Sequence, residues 1–187
     1  MTIFEPYRDM VVRLFKKLDN RQVELHHATT GLCGEAAELL AAIDRANILE
    51  ELGDLRFYFV ACRSKLYPTA DQINQTREVL TSPCYLPSNS TVMNNIIIIC
   101  GELLDYTKRS WIYSEHPSKG VIREYEIHQA LALLDINLSF YVELMGFTWE
   151  QVEFGNQMKL IGTADQKGRY HSGEYSDAQA IERADKS

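Results

Sequence analysis

Two acid pairs carry the chemistry this sequence could do. Glu35 and Glu38 lie in GEAAELLAAIDR, Glu51 and Asp54 lie in NILEELGD, and twelve residues separate Glu38 from Glu51. Residues three apart on a helix share a face, so each pair would present two carboxylates side by side. On a helical wheel, Leu32, Ala36, Leu39, Leu40 and Ile43 form the core stripe of the first segment. Glu35 and Glu38 flank that stripe, in line with His27, Gly31 and Ala42, whose small members leave room for something else. In the second segment Ile48, Leu52, Leu55, Phe59 and Cys62 form the stripe. Glu51 falls within it or at its margin, Asp54 just beyond, and Glu50 points away towards solvent.

An ordinary ExxE is a solvated acidic face. Carboxylates aimed at a core are different, because a buried charge without a partner is too costly. Arg45 and Arg56 cannot neutralise four inward carboxylates. Hard divalent cations can, since Mg²⁺ and Mn²⁺ take oxygen ligands. The expected site is therefore a pair of antiparallel helices holding two or more Mg²⁺ ions, with Mn²⁺ able to substitute. A ferritin-like di-iron bundle competes with this reading but needs ExxH twice. Glu24 to His27 supplies one ExxH, and the sequence has no second.

The elements that must position these acids read as helices almost throughout. Pro6 suits a first helical turn, and Tyr7, Met10, Val11, Leu14, Phe15 and Leu18 follow at helical spacing. Further helices are expected over 22–45, 47–66, 92–114, 123–145 and 149–160. Loops are expected at LDNRQ, at TSPCYLPSNST and at SEHPSKG. Convincing strand alternation is absent, so the fold class is all-α, a helical bundle forming one domain over 1–187. CGEAAELLAAIDR is echoed by CGELLDYTKR, and FYFVACRSKLYPTADQI by SFYVELMGFTWEQV. Two such two-helix units would pack as a pseudo-symmetric bundle. The second unit keeps Glu102 and Asp105 but has Ala130 and Leu133 roughly where the first has Glu51 and Asp54.

Composition limits the rest. The chain has 187 residues, 45% hydrophobic and 24% charged, which is ordinary for a globular domain with a real core. A formal charge of −7 argues against a nucleic-acid surface but not against an anionic substrate bridged by metal. Cys33, Cys62, Cys84 and Cys100 form no CxxC pair and read as buried thiols of a reducing compartment. MTIFEPYRDM lacks the apolar core of a signal peptide, and IIIIC is too short to span a bilayer. The expectation is a cytoplasmic protein with no membrane and no nucleic-acid partner.

ExxE, twelve residues, then ExxD resembles the metal signature of the all-α NTP pyrophosphohydrolases, and the phage and bacterial MazG-like proteins are the most similar. HATTGLCGEAAELL resembles their H-x3-G-x3-E-x2-E stretch, and NILEELGDLRFYF their N-L-x-E-E-L-G-D-x-x-W-Y stretch. NQMKL followed by RYHSGEYSDAQAIERAD is similar to their C-terminal N-x-x-K-L…R-Y ending. Relative to short family members, 65–123 is inserted. IGTADQKG also separates Lys159-Leu160 from Arg169-Tyr170, a spacing closer to the dimeric dUTPases of the same superfamily.

The resemblance implies hydrolysis of a nucleoside or deoxynucleoside triphosphate between the α- and β-phosphates, releasing the monophosphate and pyrophosphate. Metals in such a site activate water and neutralise phosphate oxygens. It implies Glu35, Glu38, Glu51 and Asp54 as Mg²⁺ ligands, with Glu38, closely followed by Glu35, orienting or deprotonating the water. Lys159, Lys167, Arg169 and Tyr170 would clasp the phosphates from a flexible tail over 163–187 that orders on binding. Asn156 would bond sugar or base. His27 is either a substrate contact or a satisfied interfacial histidine. Trp111, Trp149 and Phe57 read as core, and Tyr58 is the aromatic best placed to meet substrate. Lys108 and Arg109 read as a solvated helix end. The resemblance also implies a homodimer or higher homo-oligomer, whereas an internal duplication would let one chain stand in for two subunits. A dUTPase-type activity and a non-catalytic helical scaffold are the alternatives.

Overall fold

The computed structural model describes residues 5–66, 89–113, 124–163 and 165–182. Among them the chain forms seven helices: α1 Tyr7–Leu14, α2 Arg21–Ala41, α3 Arg45–Leu66, α4 Asn89–Ile112, α5 Glu124–Leu144, α6 Trp149–Ile161 and α7 Asp177–Glu182. The fold is all-α. TSPCYLPSNST falls outside the described residues up to Ser88, and SEHPSKG lies wholly outside them, as does Cys84.

Each helix starts or stops for a local reason. Asn20 caps α2 by accepting from the Val23 amide, worth about 1 kcal/mol. Asp44 accepts from the Asn47 amide at the start of α3, and Thr148 with Gln151 forms a reciprocal capping box on α6. The turn between α2 and α3 is only three residues long, so the two helices must run antiparallel.

α2 packs on α3 and α4, α4 on α5, and α5 on α3, which closes a four-helix bundle. α1 and α6 lie across α3 and touch each other. The bundle interior holds Leu32, Leu39, Leu52, Leu55, Phe59, Ile96, Leu103, Ile127, Leu134 and Leu138, all essentially inaccessible to solvent. α2 and α4 cross antiparallel: His26 faces Thr107 and Trp111, and the Cys33 thiol donates to the Cys100 carbonyl at 3.2 Å. The two cysteines aligned by the sequence echo therefore meet at the contact between the two helical hairpins.

Two expectations about α2 fail. Leu40 is 59% and Ile43 91% exposed, so neither belongs to the core stripe. Ile43 lies beyond the end of α2 at Ala41, where the wheel no longer applies, and Leu40 lies in the helix's last turn with its side chain in solvent. Space beside Gly31 is already filled: a Cβ there would meet the Tyr58 ring at 2.3 Å. Only glycine lets α3 lay that ring against α2.

The tail is also more ordered than expected. Gly162, with φ +84°, turns the chain, and the Thr163 amide bonds the Gln166 carbonyl at 2.7 Å. Arg169 and Tyr170 then donate backbone N–H groups to the Lys159 and Leu160 carbonyls at 3.0 and 2.7 Å. Tyr170 is buried against Tyr175, and Lys16 of the α1 side pairs with Asp177 at 2.6 Å. Among the described residues, 165–182 fold back against α6 and the α1 side.

Candidate metal centre

Glu35 and Glu38 descend one side of α2, and Glu51 rises from the facing turn of α3. Carboxylate oxygens of all three lie within 4.8 Å of one another. Two oxygens bound to one Mg²⁺ lie at most about 4.2 Å apart, twice the metal–oxygen distance, so small rotamer changes would close the set on an ion. The donors are all hard oxygens, which suits Mg²⁺ or Mn²⁺. Glu35 and Glu51 are half-buried and Glu38 is exposed, so the cluster opens to solvent on the Glu38 side.

None of these three side chains has an ion-pair or hydrogen-bond partner among the described residues. Both arginines that could have served them are committed elsewhere. Arg45 donates to the Met145 and Gly146 carbonyls and lies over Phe147. Arg56 pairs with Glu153 at 2.8 Å and lies over Trp149. Burial, followed by repulsion from Asp54, Glu38 and Glu51, pushes the Glu35 carboxyl up to about 7. Burial and the same neighbouring acids also raise Glu51.

Asp54 sits differently from the other three. Its Oδ2 is 2.5 Å from Lys159 Nζ, and its Oδ1 accepts from the Asn156 amide at 2.9 Å. Lys159 also reaches Glu50 Oε1 at 2.7 Å. Glu50 is therefore tied to a cation rather than left to solvent, and Lys159 points at acids. Burial alone would lower the Lys159 pKa, but Asp54 and Glu50 hold it above its usual value.

Asn156 is 3% exposed, and its carbonyl oxygen accepts from the Tyr7 hydroxyl at 2.8 Å. Both ends of its amide have protein partners, and through one of them it orients Asp54. Tyr7 was missed as part of this chain because nothing in the sequence links α1 to a residue on α6.

The remaining expected site residues divide between two cavities. A narrow one, about 60 Å³, is lined by Phe15, His27, Glu35, Asp54, Tyr58, Arg169 and Tyr170. His27 lies between Phe15 and Tyr58, with ring centroids 5.0 and 6.1 Å away. Burial, then Lys16 and His26, lower its pKa, so the imidazole is neutral at pH 7. Burial and Glu35 push the Tyr58 hydroxyl up to about 12, so it stays a hydrogen-bond donor. A wider groove, about 350 Å³, lies on the other side of Lys159 between α3 and α6, with Leu49, Met158, Gln166 and the exposed Lys167 on its walls.

Among the described residues the second hairpin brings no comparable set together. Glu102 is exposed, and Asp105 pairs with Lys108 and Arg109 on the surface. No single helix among the described residues is long and apolar enough to cross a membrane. Compared with protein-family models, curated proteins and solved structures, the chain matches none.

Proposed function

We propose that the chain is an Mg²⁺-dependent nucleoside triphosphate pyrophosphohydrolase of the MazG-like kind, releasing a nucleoside monophosphate and pyrophosphate. The observation that carries this reading is the convergence of Glu35, Glu38 and Glu51 from two antiparallel helices with no protein cation in contact with them among the described residues, Lys159 acting on Glu35 and Glu51 only from beyond ion-pair distance. Bound Mg²⁺ would supply Lewis acidity towards phosphate oxygens and acidify a bound water.

The chain's own residues do the rest. Glu35 and Glu51 give the deeper oxygens. Glu38, at the open edge, orients the attacking water and accepts its proton. Lys159 contacts Asp54, Arg169 lines the cavity shared by Glu35 and Asp54, and Lys167 lines the groove beside Lys159; these cations would receive the phosphates, since phosphoryl chemistry depends on positioning and charge stabilisation. His27 and Tyr58, one neutral and one protonated, supply polar contacts in an aromatic recess for the substrate.

The test is to incubate the purified protein with each NTP and dNTP in Mg²⁺ and to resolve pyrophosphate from orthophosphate. Pyrophosphate with the monophosphate is expected, and orthophosphate with the diphosphate would reject α–β cleavage. The same panel decides the dUTPase-type reading, which the Lys159–Arg169 spacing favours: hydrolysis confined to dUTP would establish it.

A further inference from the structure

We infer that Lys159 is an internal counter-cation that holds the site at one-metal occupancy until substrate phosphate draws it away. This rests on the metal-centre reading above and specifies its regulation.

Of the four acids the family resemblance implicates, three converge without a cation in contact and one is paired with Lys159. Lys159 Nζ contacts Asp54 at 2.5 Å and Glu50 at 2.7 Å, with its side chain only 13% exposed. Asp54's other oxygen is engaged by Asn156. A divalent ion brought to Asp54 would meet an ammonium already in contact with that carboxylate. Like charges at such a distance exclude each other in a partly desolvated site. Glu35, Glu38 and Glu51 feel the ammonium only from beyond ion-pair distance and can take the first ion.

The release path is visible in the fold. The groove of about 350 Å³ opens directly on Lys159 and carries Lys167 on its wall. Lys167 forms no ion pair among the described residues. A phosphate beside Lys167 offers Lys159 a second anionic partner, and an ammonium on a four-carbon stem with rotatable donors can change partners without moving its helix. Once Lys159 turns to phosphate, Asp54 becomes a fourth oxygen donor. Substrate and second metal then favour each other reciprocally.

The experiment counts Mn²⁺ bound per chain, by electron paramagnetic resonance of the free ion, in the full-length protein without nucleotide. Wild type should bind one Mn²⁺. Lys159→Met should bind two, the second at least about tenfold more tightly than any second ion in wild type. Two ions in nucleotide-free wild type, or one in the variant, would overturn the inference. Lys159→Gln replaces the Met variant if that one fails to fold by circular dichroism. Absence of any Mn²⁺ in wild type overturns this inference together with the metal reading. A doubled count with no cleavage of any (d)NTP retains it and rejects the hydrolase.

Discussion

At the scale of single residues, the central fact is the unequal state of four acids that the sequence presents as equivalent. Glu35, Glu38 and Glu51 share a space without a cation in contact, while Asp54 is held by Lys159 and Asn156. Glu35→Gln and Glu51→Gln should each reduce turnover by about 100-fold or more, a loss in the range expected when a metal-bound group is removed. Isothermal titration with Mn²⁺ should show the affinity falling in parallel. Near-normal turnover in both variants would remove the metal centre from the mechanism. Asn156→Ala removes the amide that holds Asp54 Oδ1 and the acceptor of the Tyr7 hydroxyl, leaving Asp54 to Lys159 alone. It should lower metal-dependent activity by about 10–100-fold, the usual effect of losing a group that orients a ligand. Steady-state kinetics against Mg²⁺ concentration would check this, and an unchanged Mg²⁺ dependence would show that Asp54 needs no such support. The acid spacing was legible in sequence because helical periodicity fixes which residues share a face. The Lys159–Asp54 contact was not, because it depends on where α6 crosses α3, which no local pattern encodes.

At the scale of elements, the helices themselves were well announced. Expected spans such as 123–145 and 149–160 differ from the observed α5 and α6 only at their ends. The failures came where two elements meet. Leu40 and Ile43 are apolar at helical spacing, yet they fall at and beyond the end of α2, where Ile43 faces solvent in the turn. Gly31 was read as leaving space, but the Tyr58 ring uses it. Gly31→Ala should therefore cost about 1–3 kcal/mol, the usual penalty for forcing bulk into a packed contact. Urea denaturation would measure it, and an unchanged midpoint would mean the ring yields freely. The tail shows the same limitation. Its polar composition suggested a loose end, while its backbone bonds to Lys159 and Leu160 come from a turn set by Gly162.

At the scale of the whole molecule, acid crowding couples the centre to stability. The Glu35 carboxyl rises from 4.5 to about 7 on folding, so between those values the folded chain retains a proton that the unfolded chain has released. Stability of the metal-free protein should therefore fall as pH rises from about 4.5 to about 7 and change little from this source above that. The raised Glu51 acts in the same direction. Calorimetric melting in a chelator should follow this course, and millimolar Mg²⁺ should recover more of the melting temperature at pH 8 than at pH 5, because ligands must be deprotonated to bind. A flat chelator profile would show that the acids are not crowded in solution.

The contact of Cys33 with Cys100 has a consequence of another kind. The surface on which the acid-bearing hairpin leans is supplied by the same polypeptide, which predicts a site that needs no second chain. Specific activity should stay constant on dilution to nanomolar protein, and a fall would show that a second chain is required. The supporting hairpin keeps its own acids, Glu102 and Asp105, on the exterior and away from the acid cluster.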